Sequence, residues 1–380
     1  MLSFRTQGYN GYGIQYSPYF DNKLAVATAA NYGLVGNGKL FILDIEPLGR
    51  VREQMSWETQ DGLFDLAWSE VHENQCVVAS GDGLIKLFDT TVAQFPIMQW
   101  REHQREVFLV NWNLVDKTNF VTGSWDGTIK IWSHQRQESM LTLDPLSHDF
   151  TTKTAPIHAT ARGNIGTVPL LHHPNHQKQP SDTSHCIYSA QFSPHSPRML
   201  ISCNGSSQVH IWDIRTPHPL QLSFISHNGM ETLSVDWNKY KSTVVASAGT
   251  DKSVRIWDLR MISNIDQPSA QSPMPASHHR GPTPLNEFIG HEFAVRRVQW
   301  SPHDSRELMS TSYDMTARIW RDESDERARF LNTKVGGARG IMGRHREFVI
   351  GCDYSLWGEP GWCATTGWDE MVYIWDSKRL

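Results

Sequence analysis

The chain has 380 residues, with 35 Lys and Arg against 40 Asp and Glu and a formal net charge of −5. That balance gives no general attraction to nucleic acid or to an anionic bilayer. No apolar run is long enough to cross a membrane as a helix, and the opening "MLSFRTQGYNGYG" lacks the apolar core of a secretory leader. Five scattered cysteines (Cys76, Cys186, Cys203, Cys352, Cys363) form no C-x-x-C and are odd in number. They point to reduced thiols in the cytosol rather than to a disulfide framework.

In chain order, "LSFRT" (2–6) has strand character, and seven related segments follow it. They are "VGNGKLFILD" (35–44), "SGDGLIKLFD" (80–89), "SWDGTIKIWS" (124–133), "NGSSQVHIWD" (204–213), "GTDKSVRIWD" (249–258), "SYDMTARIWR" (312–321) and "GWDEMVYIWD" (367–376). Recurrence at about 40–45 residues marks a repeat architecture in which each copy is one propeller blade. The third copy shows the plan. "EVFLVNW" (106–112), "NFVTGS" (119–124), "GTIKIW" (127–132) and "SMLTL" (139–143) read as four short strands, with Asp126-Gly127 as the tight turn. The fold expected is all-β: a single seven-bladed WD-repeat β-propeller over 1–380. Blades are expected at about 11–55, 56–100, 101–143, 185–225, 226–289, 290–343 and 344–376. Only five residues follow Trp375, too few for a fourth strand, so strand 2–6 is expected to complete the last blade and leave no long exposed edge. Segments 144–184, 261–283 and 321–337 are inserts. By strand order the first emerges on the face carrying the Asp turns, here called the top, and the other two on the opposite face.

Polar positions repeat as well. A His stands 29 or 30 residues before the Trp in four copies: His103/Trp132, His227/Trp257, His291/Trp320 and His345/Trp375. Asp82, Asp126, Asp251, Asp314 and Asp369 stand six before the closing aromatic, and Thr122, Ser247, Ser310 and Thr365 four before their Asp. These resemble the His–Ser/Thr–Asp–Trp hydrogen-bond network of WD-repeat propellers. A structural role explains why the trio recurs from blade to blade and a catalytic one does not, so no enzyme activity and no cofactor are expected. Ser206 and Asn37 replace the Asp in copies four and one, where part of the network is expected to be missing. His172, His173 and His176, with His158 and His185 nearby, have no Cys partner and read as a solvated loop rather than a metal site.

Each blade sends two kinds of side chain to the top. The residue before the turn Asp reads Gly81, Trp125, Thr250, Tyr313 and Trp368, with Gly205 before Ser206. A turn tip has no packing reason to prefer a large aromatic, and exposed aromatics mark interaction sites. The residues opening the innermost strands are acidic, Asp61, Asp65, Glu106 and Glu231, with Phe64 and Phe108 among them. A rim mixing carboxylates with aromatics suits an amphipathic helix that is basic on one side and apolar on the other.

The opening "GYGIQYSPYFDNKLAVATAANYGLVGNGKLFILDI", with "LFDLAWSE", "EVFLVNWNLV", "WSPHDSRELMSTSYDMTARIWRD" and "YSLWGEPGW", resembles the WD-repeat peroxins. These are the cytosolic receptors for the type-2 peroxisomal targeting signal (the peroxin-7 family). The resemblance implies an N-terminal cargo signal of the form Arg/Lys-Leu, five variable residues, His/Gln-Leu/Ala, carried by thiolase-like matrix enzymes. It also implies an import co-receptor, a docking complex met peripherally at the peroxisomal membrane, and cycling between cytosol and peroxisome. The signal spans about two helical turns, so its basic residue and its His share a side and its apolar residues the adjacent one. On that reading Asp61, Asp65 and Glu106 hold the basic residue and Glu231 takes the opposite end. Trp125, Tyr313, Trp368, Phe64 and Phe108 form the apolar floor.

Two other readings fit the pattern. "WDIR" (212–215) and "WDLR" (257–260) resemble the Trp-Asp-x-Arg signature of substrate receptors of cullin-RING ubiquitin ligases. An acidic rim also suits a propeller that reads basic histone-type peptides.

Overall fold

In the computed structural model, which describes residues 1–47, 49–146, 183–262, 282–324 and 337–380, the regular elements are strands and three single 3-10 turns. Strand β10 (Val107–Trp112) pairs antiparallel with β11 (Asn119–Ser124), β11 with β12 (Ile129–Ser133), and β12 with β13 (Leu141–Leu143). The β11–β12 connection turns at Gly127, φ +85°, a conformation that costs glycine nothing. The outer strand starts two residues later than the sequence suggests. Ser139 instead gives its N–H and its hydroxyl to Glu102, at 2.9 and 2.7 Å.

Six further four-stranded sheets share this order. Their innermost strands are β2 (Asn10–Tyr16), β6 (Leu63–Trp68), β14 (Ile187–Phe192), β18 (Thr232–Trp237), β22 (Val295–Trp300) and β26 (Val349–Tyr354). The last sheet is completed by β1 (Leu2–Arg5), which pairs with β28 (Met371–Asp376) in the register Leu2↔Ile374 to Arg5↔Met371. The protein is a seven-bladed β-propeller closed by its N-terminal strand.

Apolar clusters lie between neighbouring blades; one, for example, joins Leu40 and Trp57 of the first blade to Leu63, Trp68 and Val78 of the second. Trp132, Trp212, Trp257, Trp320 and Trp375 are wholly buried. Each removes roughly 4–6 kcal/mol worth of apolar surface from water, before the entropy cost of ordering the chain.

Polar side chains on the inner strands latch each blade to the next. Gln15 accepts from Trp68 N (2.8 Å), Asn111 from Phe192 N (3.1 Å), Asp236 from Trp300 N (2.6 Å), and Asp353 from Tyr16 N (2.8 Å). The backbone N–H groups facing the neighbouring blade are satisfied in this way.

The repeated polar residues meet inside four blades. His291 holds Asp314 through Nδ1 and Ser310 through Nε2, both at 2.7 Å, and Trp320 Nε1 donates to Ser310 Oγ at 2.7 Å. The same links join His103, Asp126, Thr122 and Trp132 at 2.8–2.9 Å. They join His227, Asp251, Ser247 and Trp257 at 2.7–2.8 Å, and His345, Asp369, Thr365 and Trp375 at 3.0–3.3 Å. Burial, outweighing the Asp314 carboxylate, pushes the His291 imidazole below its ordinary range. A neutral ring gives one consistent wire, in which Trp320 donates to Ser310, Ser310 to His291, and His291 to Asp314. In all four blades the His side chain is closed off from solvent and both ring nitrogens are occupied, one by the Asp and one by the Ser or Thr. In the fourth blade Trp212 still donates to Ser202 (2.8 Å), while Ser206 turns to Ser184 O (2.7 Å). In the second, Lys86 bridges Asp82 (3.0 Å) and Ser80 (3.2 Å) beneath Phe88, which stands in for the Trp.

Candidate functional site: an aromatic bowl on the top face

Each innermost strand has an irregularity at the same place. The register skips one residue between Gly11 and Gly13, Leu63 and Asp65, Val107 and Leu109, and Ile187 and Ser189. It does so again between Thr232 and Ser234, Val295 and Arg297, and Val349 and Gly351. A β-bulge re-aims the side chain of the extra residue. The seven bulged residues are Tyr12, Phe64, Phe108, Tyr188, Leu233, Arg296 and Ile350, and all seven line one cavity of about 500 Å³ at the top of the ring. They form its floor.

The wall comes from the turn tips Trp125, Thr250, Tyr313 and Trp368, with Tyr32 and Leu34 from the first blade. Ring centroids follow one another around it: Tyr188–Phe108 6.1 Å, Phe108–Phe64 5.2 Å, Phe64–Tyr12 5.1 Å, Tyr12–Trp368 5.9 Å, Trp368–Phe348 5.1 Å and Phe348–Tyr313 4.8 Å. Trp125 packs on Phe108 at 5.0 Å. Its buried indole N–H has no hydrogen-bond partner among the described residues.

Three carboxylates stand on this bowl. Asp61 accepts from Gly62 N (2.7 Å), and Glu106 lies 3.5 Å from the Arg105 guanidinium. Glu231 accepts at Oε1 from Tyr188 (3.2 Å) and from Thr183 (2.8 Å), which follows directly on the segment 147–182 outside the described residues. Burial, with Glu231 beside it, raises the Tyr188 pKa, so the phenol stays a donor.

Asp65 departs from the expected rim. It lies one residue past the bulge, buried, where Oδ1 takes Arg297 Nη1 of the sixth blade at 3.0 Å and Oδ2 takes Val110 N at 3.2 Å. Burial opposes the Arg297 charge, but Asp65 holds its pKa above the usual value. This ion pair joins the innermost strands of the second and sixth blades, both Asp65 oxygens are engaged, and Asp65 is not among the residues lining the bowl. The bulge is the physical reason: it breaks strict alternation, so neighbours Phe64 and Asp65 do not both lie where a plain strand count puts them. The other predicted residues, Asp61, Phe64, Glu106, Phe108, Trp125, Glu231, Tyr313 and Trp368, all line the bowl.

Sequence reasoning missed Tyr12, Tyr188, Leu233, Arg296 and Ile350, along with Tyr32 and Phe348. Aligning the position that holds Phe64 and Phe108 across all copies finds the first five. His185 lies within the described residues, but His158, His172, His173 and His176 lie outside them. At the opposite face, Arg215 and Arg260 are each bound to the Asp of their own Trp-Asp pair, Asp213 and Asp258, at 2.6 Å.

The WD domain, G-beta repeat family matches residues 95–133, 175–213, 219–258 and 282–321. The Peroxisomal targeting signal 2 receptor of Saccharomyces cerevisiae is 46% identical to the chain over 383 residues, with 99% of each covered. The chain belongs to the peroxisomal targeting signal 2 receptor family. The Komagataella phaffii receptor of that name is 46% identical over 392 residues, the full length of both chains. The Mus musculus receptor is 32% identical over 379 residues, covering 100% of this chain and 97% of its own. Across those receptors the matched region thus spans every blade and both ends of the ring.

Proposed function

We propose that this protein is a peroxisomal import receptor that binds the type-2 targeting signal of cargo proteins as an amphipathic helix lying across the top bowl. One observation carries the choice of site: an arc of contacting aromatic side chains, from Tyr188 round to Tyr313, that shares one cavity with Asp61, Glu106 and Glu231. The signal's leucines rest on Phe64, Phe108, Trp125 and Trp368. Its Arg or Lys meets Asp61 and Glu106, on the second and third blades, and its His or Gln lies toward Glu231 on the fifth. Asp65 takes no part.

A helix laid in an open bowl keeps one side in water, and a co-receptor covers it. Covering desolvates the ion pairs and makes a missing partner more costly. The receptor then brings folded cargo, including thiolase-like matrix enzymes, to the docking complex, associates peripherally with the peroxisomal membrane, and returns to the cytosol.

The test is titration of a fluorescent Arg-Leu-x5-His-Leu peptide in the presence of the co-receptor, with Asp61→Arg and Glu106→Arg beside the wild type. Saturable binding that both reversals abolish supports the receptor and the site. Binding that survives both moves the site elsewhere. Absence of binding, with capture of histone-tail peptides or of a ligase adaptor instead, refutes the import reading.

A further inference from the structure

Six of the seven bulged floor residues are uncharged, and the seventh is an arginine. Arg296 is nine-tenths buried, with its guanidinium 4.6 Å over the Phe108 ring, and it donates from Nη1 to Leu233 O at 3.3 Å. Among the described residues no carboxylate lies within ion-pair distance of it, whereas the adjacent Arg297 has Asp65. A guanidinium offers five N–H donors and no acceptor. A buried one without a counter-charge is costly unless an acceptor arrives. Leu233 is two residues from Glu231, so the tether brings Arg296 to the carboxylate's side of the bowl. Both groups act on the same phenols. Tyr188 and Tyr313 are raised by burial, pushed further by Glu231 and held back by Arg296.

We infer that Arg296 and Glu231 form a paired donor–acceptor subsite that reads the His/Gln position of the signal as a neutral side chain. This rests on the proposed signal site. A carboxamide or a neutral imidazole carries one acceptor for Arg296 and one N–H for Glu231 Oε2. Lysine and arginine have no acceptor and meet the guanidinium with like charge. Glutamate has no N–H and meets Glu231 with like charge. An imidazolium has lost its acceptor. The groups facing the bound side chain are Arg296, Glu231, Tyr12, Tyr188 and Tyr313, with Asp61 and Glu106 across the bowl. Histidine and glutamine are interchangeable here because they share a donor–acceptor pair, not because they share a charge.

The experiment compares two synthetic peptides, Arg-Leu-x5-His-Leu and Arg-Leu-x5-Gln-Leu, by fluorescence anisotropy with the co-receptor present, from about pH 7.5 to about pH 5.5. With a free imidazole pKa near 6.5, the His peptide weakens about tenfold over this range while the Gln peptide changes little. Arg296→Gln weakens the Gln peptide roughly ten- to hundredfold, the worth of a hydrogen bond to a charged group. It also removes the pH dependence of the His peptide. Arg296→Lys keeps the charge but not the fork, restores the pH dependence and only part of the affinity. A His peptide that binds equally or more tightly at the acid end of the range overturns the inference, because the imidazolium is then the bound form. If Arg296→Gln does not fold, the two wild-type pH curves still decide. Failure of both peptides at every pH refutes the proposed function itself, whereas equal, pH-independent binding refutes the subsite alone.

Discussion

Replacing Ser310 by Ala removes one oxygen from the centre of the sixth blade. That oxygen accepts from Trp320 Nε1 and binds His291 Nε2, each at 2.7 Å, and both partners are buried. The substitution orphans two polar groups that have no route to water. At about 1–3 kcal/mol for each unsatisfied buried group, the loss is about 2–6 kcal/mol. The fourth blade supplies an internal calibration, because Ser202 accepts from Trp212 Nε1 at 2.8 Å without a His–Asp pair behind it. Ser202→Ala orphans one group and costs about 1–3 kcal/mol. Urea unfolding of both variants, read from midpoints at unchanged m, gives the ratio directly. A Ser310→Ala loss no larger than that of Ser202→Ala, or below about 1 kcal/mol, would refute the idea that the network acts as one connected wire.

Three further outcomes follow from the geometry. His210 is wholly buried, neither ring nitrogen has a partner among the described residues, and burial pushes its pKa down to about 4. Because the folded value lies below the unfolded value near 6.5, its contribution is complete above about pH 6.5 and is lost as pH falls toward 4, a total of roughly 3 kcal/mol. His210→Phe is therefore expected to flatten the acid limb of the stability–pH curve, and an unchanged limb contradicts this. Asp65→Ala leaves Arg297 as an unpaired charge and is expected to cost about 3–5 kcal/mol of stability, whereas Asp61→Ala changes signal affinity with little effect on unfolding; thermal melts beside peptide titrations separate the two. Deleting residues 1–6 bares the whole edge of β28 and is expected to yield self-associating material on size-exclusion chromatography; a monodisperse monomer would show that β1 is dispensable.

The blades were legible because what makes a blade is local. The Trp-Asp cadence, the Asp-Gly turn and the His–Trp spacing all fall within one repeat. The latches were not legible: Asp353 and Tyr16 are 337 positions apart and Asp65 and Arg297 are 232 apart, and such pairings are set by ring closure rather than by neighbouring residues. The turn-tip aromatics of the bowl could be read because Trp at a turn has no structural excuse. Tyr12, Tyr188 and Arg296 could not be found by strand alternation, since a bulge of one residue reverses which side chain faces the bowl. Asp65 reads as a rim residue because it is an acid near the start of an innermost strand, and nothing local reveals that Arg297, from the sixth blade, claims it. The bulge recurs at the same place in all seven blades, so the position that holds Phe64 and Phe108 locates the floor residue of every other copy.

The strand β1 lies in the last blade, so residues 2–5 find their partners only once residues 371–374 exist. At synthesis rates of about 5–20 residues per second, that wait is roughly 20–70 s, far longer than hairpin formation. Each finished blade meanwhile can fold against its predecessor, but the ring remains an open crescent with an unpaired strand at either end. The bowl needs floor residues from the first blade and the seventh, Tyr12 and Ile350, so a partly made chain has no complete bowl. If the bowl is the signal site, as proposed, competence to bind arrives in one step, with closure.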